Sequence, residues 1–253
     1  MKSARVVHGG ACHTAYPVEG DESQIQLANG QRVAANAVQW LAPFEVGTLI
    51  ALGLNYADHV KELAKELTLS AKDEPLVFLK GPNSVVGHLG QTVRPRDASF
   101  MHYECELAVV MGRVTRNVAV EDALSHVLGY TVCNDYAVRD YLENWYRPNL
   151  RVKNRDQATA LGPWLVTADE IPDPQNLSLR TRVNGEVTQQ GHTSNMVHSV
   201  AELIHYLSQF MTLQPGDVIL TGTPEGVVNV QAGDVVVTEI DGVGQLINHL
   251  VSD

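Results

Sequence analysis

Residues 102–112 read HYECELAVVMG, and the reading of this stretch decides how the chain folds. Its second half is continuously apolar, which suits a strand covered on both faces. Its first half carries Glu104 and Glu106, two residues apart. Neighbouring side chains on a strand point to opposite faces, so these two share one. Two carboxylates therefore project side by side where a strand enters the core, a costly placement without compensation. Burial and mutual repulsion both disfavour their charged forms unless a cation lies between them. Taken alone, such a pair is more often a solvated strand edge than a site, because charged residues mostly lie outside.

A second stretch, GYTVCNDY (129–136), has the same form, an apolar strand that ends in Asp135. Three carboxylates converging at strand ends would make a hard-oxygen site for Mg²⁺ or Mn²⁺, with other positions left to water or a ligand.

Outward from these strands the chain shows many short β segments and few helices. Residues 1 to about 46 read as strands and turns, including a hairpin at Asn29–Gly30 between IQLA and QRVA. TLIALGLNY (48–56) and PLVFLKGP (75–82) suit buried strands. Between them Asn55 can cap a helix, ADHVKELAKEL, with Val60, Leu63, Ala64 and Leu67 as its apolar stripe. VEDALSHVLG (120–129) reads as a short helix ended by Gly129, and AVRDYLENWY (137–146) as helical. Later come strands LSLRTRVNG, DVILTG and DVVVTEIDG, the turns QPGD and QAGD, and an amphipathic helix, SVAELIHYLSQFM (199–211). Strands and helices do not alternate regularly, so a β-rich α+β domain is expected rather than a doubly wound sheet. The absence of GxGxxG, Walker A and GxSxG segments argues against the common nucleotide folds and the α/β-hydrolases.

Several polar residues stand between two readings. His59 and Glu62 lie three apart on the expected helix, where a carboxylate can orient an imidazole as a general base. They also fit a plain polar face with Lys61, Lys65 and Glu66. Lys153 belongs to the one dense basic run, RPNLRVKNRD (147–156), which could receive an anion or merely balance an acidic surface. Arg139 could clamp a carboxylate or pair with Glu143. TGTPEG (221–226) could offer N–H groups and hydroxyls to an anion, or be only a turn.

Composition narrows the partners. The chain has 253 residues, and 18 Lys+Arg against 29 Asp+Glu leave a formal charge of −11. A nucleic-acid partner is not expected of so acidic a chain. No stretch approaches the ~18 apolar residues of a membrane span, and the three cysteines fit neither a disulfide framework nor a zinc motif. A cytoplasmic protein with reduced thiols is expected.

Taken in order, GLNYADH, PLVFLKGPNSVVG, HYECELAVVMG, GYTVCNDYAVRD and DVILTGTPEGV resemble the fumarylacetoacetate hydrolase superfamily over roughly 49–250. The resemblance implies that superfamily's mixed β-roll with a few helices, as a catalytic domain over 47–253 behind a small N-terminal β segment, 1–46. It implies a divalent cation, Mg²⁺ or Mn²⁺ with Ca²⁺ able to substitute in a crystal, held by Glu104, Glu106 and Asp135. It implies His59, Glu62 and Lys153 as catalytic groups, and Arg139, Tyr136 and Thr223 as contacts to a small anionic 2-oxo acid. It also implies a homodimer or larger homo-oligomer. Within the superfamily, GYTVCNDYAVRDYLENWYRPNLRVKNRD is similar to the isomerase/decarboxylase branch of homoprotocatechuate (4-hydroxyphenylacetate) breakdown. Members of that branch act on 2-oxo and 2-hydroxydienoate di- and tricarboxylates through a metal-chelated dienolate. An acylpyruvate-type C–C hydrolase or an oxaloacetate-type decarboxylase would use the same groups, and a non-catalytic cation-binding module would need only the carboxylates. Residues 1–253 are expected to hold one such catalytic half, and Glu225 stands where many members carry Lys.

Overall fold

The computed structural model describes residues 1–58, 74–142 and 149–253. Its strands, in chain order, begin with β1 (Lys2–His8), β2 (Ala11–Pro17), β3 (Gln24–Leu27), β4 (Arg32–Ala34), β5 (Gln39–Trp40), β6 (Leu49–Gly53) and β7 (Leu76–Lys80). There follow β8 (Val85–Val86), β9 (Gln91–Arg94), β10 (Met101–His102), β11 (Cys105–Met111), β12 (Val127–Asp135), β13 (Ala137–Val138) and β14 (Thr159–Thr167). The last are β15 (Ser178–Val183), β16 (Glu186–His192), β17 (Val218–Leu220), β18 (Val235–Ile240) and β19 (Gly244–Ser252). Among the described residues the helices with both ends defined are α1 (Val120–Ala123), α2 (Leu150–Lys153) and α3 (Val200–Phe210), with short 3₁₀ turns besides. The strand-rich α+β architecture read from the sequence is the one found.

The larger sheet runs β4-β3-β2-β1-β14-β12-β11-β17-β6-β7, with β5 on β1 and β8 on β14, and a smaller one runs β16-β15-β18-β19-β9. All seven residues of β11 are buried, because both faces are covered. Leu107, Val109 and Met111 pack with Leu203, Ile204 and Leu207 of α3. Ala108 and Val110 pack on the other face with Phe78, Cys133, Leu161, Val218 and Leu220. Helix α3 starts on a capping box in which Ser199 and Glu202 bond each other's backbone N–H.

The Asn29–Gly30 hairpin forms as expected, with Gly30 at φ +87. Two expectations fail. Gly129 does not end a helix but lies inside β12, where a Cβ would meet the Val166 carbonyl oxygen at 2.2 Å, so only glycine permits this close strand approach. In AVRDYLENWY, Ala137 and Val138 pair with His102 and Met101 and a single 3₁₀ turn follows at Arg139–Tyr141, because backbone pairing outweighs local helical preference; residues 143–146 lie outside the described ones.

The small sheet is fastened by a fork of charges. Arg180 holds both Glu239 oxygens at 2.8 and 2.9 Å, and Arg182 adds a third bond at 3.1 Å. The Arg180 hydrogen bonds, opposed by partial burial and aided by Arg182, hold the Glu239 carboxyl below its usual range. A carboxyl depressed in the folded state stabilises above its ordinary value, about 4.5, and loses that contribution as pH falls through the folded value. Glu239→Gln is therefore expected to lower the thermal midpoint at pH 7 and to lose its effect as pH falls well below 4.5, in paired calorimetric scans.

Candidate metal centre

β11 begins and β12, β17 and β6 end at one margin of the larger sheet, since β11 runs antiparallel to β12 and β17 and β6 runs parallel to β17. Glu104 and Glu106 continue the face that carries Ala108 and Val110, and Asp135 continues the face that carries Cys133. The register sets Glu106 opposite Cys133, and the Asp135 N–H bonds the Glu104 carbonyl at 2.9 Å. One carboxylate oxygen from each of Glu104, Glu106 and Asp135 lies within 4.8 Å of the others. Glu106 and Asp135 are fully buried and Glu104 is 9% exposed. The three residues singled out from two separate strands thus form one cluster.

Two ammonium groups face it. Lys153, at the end of α2, reaches Glu104 at 2.5 Å and Asp135 at 2.9 Å. Burial opposes its charge, but Asp135, Glu104 and Glu106 outweigh that and raise its pKa. Lys80 bonds the second oxygen of Asp135, and both side chains are wholly buried. It was not among the residues expected from the sequence. Lys80 shares a strand face with Phe78, which packs beside Cys133. The chain after β7 then returns to β14 through β8, bringing Lys80 back over β12.

Glu106 is the most constrained member. Its Oε2 accepts the Gly222 N–H at 2.8 Å. Its Oε1 is buried and has no hydrogen-bond partner among the described residues. Burial first, then Asp135 and Glu104, push its carboxyl well above the usual range, against the pull of Lys153 and the Gly222 N–H. An orphaned buried oxygen is costly. A divalent cation seated among three carboxylates supplies the missing partner, so the donor set fits a hard cation. Charge agrees: with all three carboxyls ionised around a bound divalent cation, the two ammoniums leave the centre with a net positive charge. The loaded centre would attract an anion.

Supporting bonds hold the ligands. Asn134 accepts the Glu104 N–H at 3.2 Å and donates to the Tyr136 hydroxyl at 3.1 Å. Tyr136 is 1% exposed and packs in a core cluster with Tyr103 and Val230, behind the ligands. His102 is 2% exposed, with Nδ1 3.1 Å from the Tyr103 carbonyl and 3.6 Å from Glu104. Burial, aided by Lys153 and Arg139, lowers its pKa to about 4 against the pull of Glu104, so Arg139 lies within electrostatic reach of this corner. Asn55, expected as a helix cap, accepts the His198 N–H and donates to the carbonyls of His198 and Thr221. Thr223 is 3% exposed and one residue past Gly222. His59 and Glu62 lie outside the described residues.

Gly222 sits at φ +85, and a Cβ there would meet the Asn55 Cβ at 3.1 Å. Gly222→Ala is expected to shift the N–H that holds Glu106 and weaken Mg²⁺ or Mn²⁺ binding about tenfold, the loss typical when a ligand's supporting partner goes. Calorimetric titration with the metal checks this.

A strand-rich fold whose strand ends bring three buried carboxylates and two lysines together defines a divalent-cation centre suited to small anions. The family model for the C-terminal domain of fumarylacetoacetate (FAA) hydrolase matches residues 48–251, and the chain belongs to this family. It is 56% identical over 207 residues to the 4-hydroxyphenylacetate degradation bifunctional isomerase/decarboxylase of Salmonella dublin, covering 82% of this chain and 47% of that protein. The chain thus spans about half the length of such curated relatives. Among solved structures, 5-carboxymethyl-2-hydroxymuconate delta-isomerase from Mycobacterium smegmatis is similar with a TM-score of 0.86 at 35% identity, over 100% of this chain and 99% of that one. Maleylpyruvate hydrolase from Sphingobium sp. SYK-6, in complex with manganese(II) and pyruvate, is similar with a TM-score of 0.82 at 27% identity, over 100% and 99%. No helix among the described residues is long and apolar enough to cross a membrane.

Proposed function

We propose that this chain is a divalent-cation-dependent isomerase and decarboxylase acting on 2-oxo and 2-hydroxydienoate di- or tricarboxylates of aromatic breakdown, such as 2-hydroxyhepta-2,4-dienedioate. The observation that carries the reading is the buried Glu104–Glu106–Asp135 cluster with the orphaned Glu106 Oε1. The relatives named for that chemistry support the substrate class.

Glu104, Glu106 and Asp135 would hold the cation. When bound, it supplies Lewis acidity, drawing electron density from a 2-oxo or 2-enol acid. Lys153 and Lys80 each pair with one oxygen of Asp135 and would add positive charge for an anionic guest. Arg139 and Thr223 are assigned to the substrate carboxylates, with Tyr136 behind them, holding Asn134 and through it the Glu104 backbone. His59, poised by Glu62, moves the proton that isomerisation relocates, a role resting on the family resemblance of GLNYADH. Local charge explains how a chain of net charge −11 accepts a multiply anionic molecule.

A second reading, C–C hydrolysis of an acylpyruvate, is favoured by the likeness to maleylpyruvate hydrolase. The two separate in an absorbance assay of metal-stripped protein with 2-hydroxyhepta-2,4-dienedioate and with acetylpyruvate, each with and without Mg²⁺. Metal-dependent loss of the dienol band with the dioate alone supports the isomerase. Cleavage of acetylpyruvate alone overturns it in favour of the hydrolase.

The three free cysteines favour a reducing, cytoplasmic setting. A homo-oligomer is supported by Leu76 and Leu79, 52% and 58% exposed on edge strand β7, and light scattering on a sizing column tests it.

A further inference from the structure

Strand β16 has an exposed or half-exposed pattern except at one position, and that position is a glutamine. Gln189 is 2% exposed and its carboxamide is used at both ends. Nε2 donates to the Thr223 Oγ1 at 2.9 Å and to the Pro224 carbonyl at 2.8 Å, and Oε1 accepts from the Thr181 hydroxyl at 3.1 Å. The orientation of this amide follows from chemistry. The Pro224 carbonyl can only accept, so the group facing it must be the NH₂. That same NH₂ faces Thr223 and occupies a lone pair of its hydroxyl oxygen. The Thr223 proton must then be directed away from Gln189.

The seat of the loop is built for this contact. A Cβ at Gly191, two residues along β16, would meet Pro224 at 2.6 Å, so glycine there lets the loop lie directly on the strand. On its other side the loop gives the Gly222 N–H to Glu106, and the Thr221 hydroxyl to the Leu107 carbonyl at 2.9 Å. Thr223 therefore takes a fixed donor at its hydroxyl and lies one residue from Gly222, whose N–H touches a ligand carboxylate.

We propose that Gln189 is a positioning residue that fixes the Thr223 hydroxyl as a hydrogen-bond donor toward the carboxylate of the 2-oxo acid end of the substrate. The proposal rests on the reading of Thr223 as a substrate contact. It makes the centre selective for a group that only accepts at that point, and places one of its determinants on the second sheet. A fixed donor serves the bound anion in ground and transition state alike, so its loss weakens binding and spares kcat.

The test uses the metal-loaded protein and two readouts: calorimetric Kd for pyruvate, the smallest 2-oxo acid, and kcat and KM for 2-hydroxyhepta-2,4-dienedioate. Thr223→Val and Gln189→Met are each expected to weaken pyruvate binding and raise KM roughly 10- to 150-fold, the worth of a hydrogen bond to a charged group. kcat should stay within about threefold, metal affinity should hold, and the double variant should be no worse than Thr223→Val, because both remove one interaction. Thr223→Ser, which keeps the hydroxyl, should restore most of the affinity. If Gln189→Met does not fold, Gln189→Asn, whose amide stops one methylene short, reads the same loss. Should Thr223→Val weaken binding while neither Gln189 variant does, or should the two effects multiply, the positioning role is wrong. Should Thr223→Val leave both readouts unchanged, or pyruvate not bind the wild-type protein, the substrate-contact reading falls first and this inference with it.

Discussion

Glu106→Gln is expected to cut metal-dependent turnover by well over about 100-fold while leaving the metal-free protein at least as heat-stable as the wild type. Loss of a group that merely orients a ligand costs about 10- to 100-fold, and Glu106 is itself the ligand whose Oε1 has no other described partner. Stability moves the other way. The metal-free centre holds three close carboxylates, and burial and that repulsion already strain the Glu106 charge. The amide keeps the shape, can still accept the Gly222 N–H, and can donate to a neighbouring carboxylate. Scanning calorimetry with and without Mg²⁺ separates the effects: the wild-type midpoint rises with metal and the variant's does not. Retained turnover, or unfolding of the metal-free variant, would refute the assignment.

Lys80→Met carries the largest expected loss of stability. It strands the Lys80 side of Asp135 with a charge that both partners now bury completely. Breaking such a pair costs about 3–5 kcal/mol, because the remaining charge stays in a medium that solvates it poorly. For a chain of this length that is a fall of roughly 10 °C in the metal-free midpoint. Saturating Mg²⁺ should return part of it, since the cation offers Asp135 a new counter-charge. An unchanged midpoint would mean that Lys153, 2.9 Å from the other oxygen, already suffices.

How these residues came to be legible, or hidden, follows from what a single strand reveals. Glu104 and Glu106 could be placed on one face from their spacing, and Asp135 joined them because it too ended an apolar run. Lys80 had a similar signature: a charged residue two positions after a buried Phe78, just before Gly81–Pro82. A lysine at a strand end ordinarily reaches solvent, and nothing in the sequence shows that this one turns inward to Asp135, 55 residues on. Strand β14 is hard to read from sequence because Gly162 and Pro163 lie inside it, and Pro rarely sits within a sheet. β19 alternates as a strand should, but its buried face includes Asn248, whose amide is satisfied by Gly90 and Thr92 on the neighbouring strand and turn. Gln189 was silent for a related reason: the partner that justifies burying it, Thr223, is 34 residues away. Polar residues become readable as structure only when their partners are known.

The strand order also governs when the centre can come into being. β17 lies between β11 and β6, and its parallel register sets Ile219 beside Ile50. During synthesis the carboxylates of β11 and β12 emerge long before the strand that separates β11 from β6, and Gly222, which fixes Glu106, emerges just after it. Contacts of such long sequence separation are closed late, at an entropic cost that slows folding. About 80 residues are added between Asp135 and β17, and over that interval a nascent chain exposes these acidic residues without their full scaffold. The centre as described is complete only when the sheet is, and a ribosome-bound chain ending before residue 218 is expected to lack the strand and the Gly222 N–H that complete it.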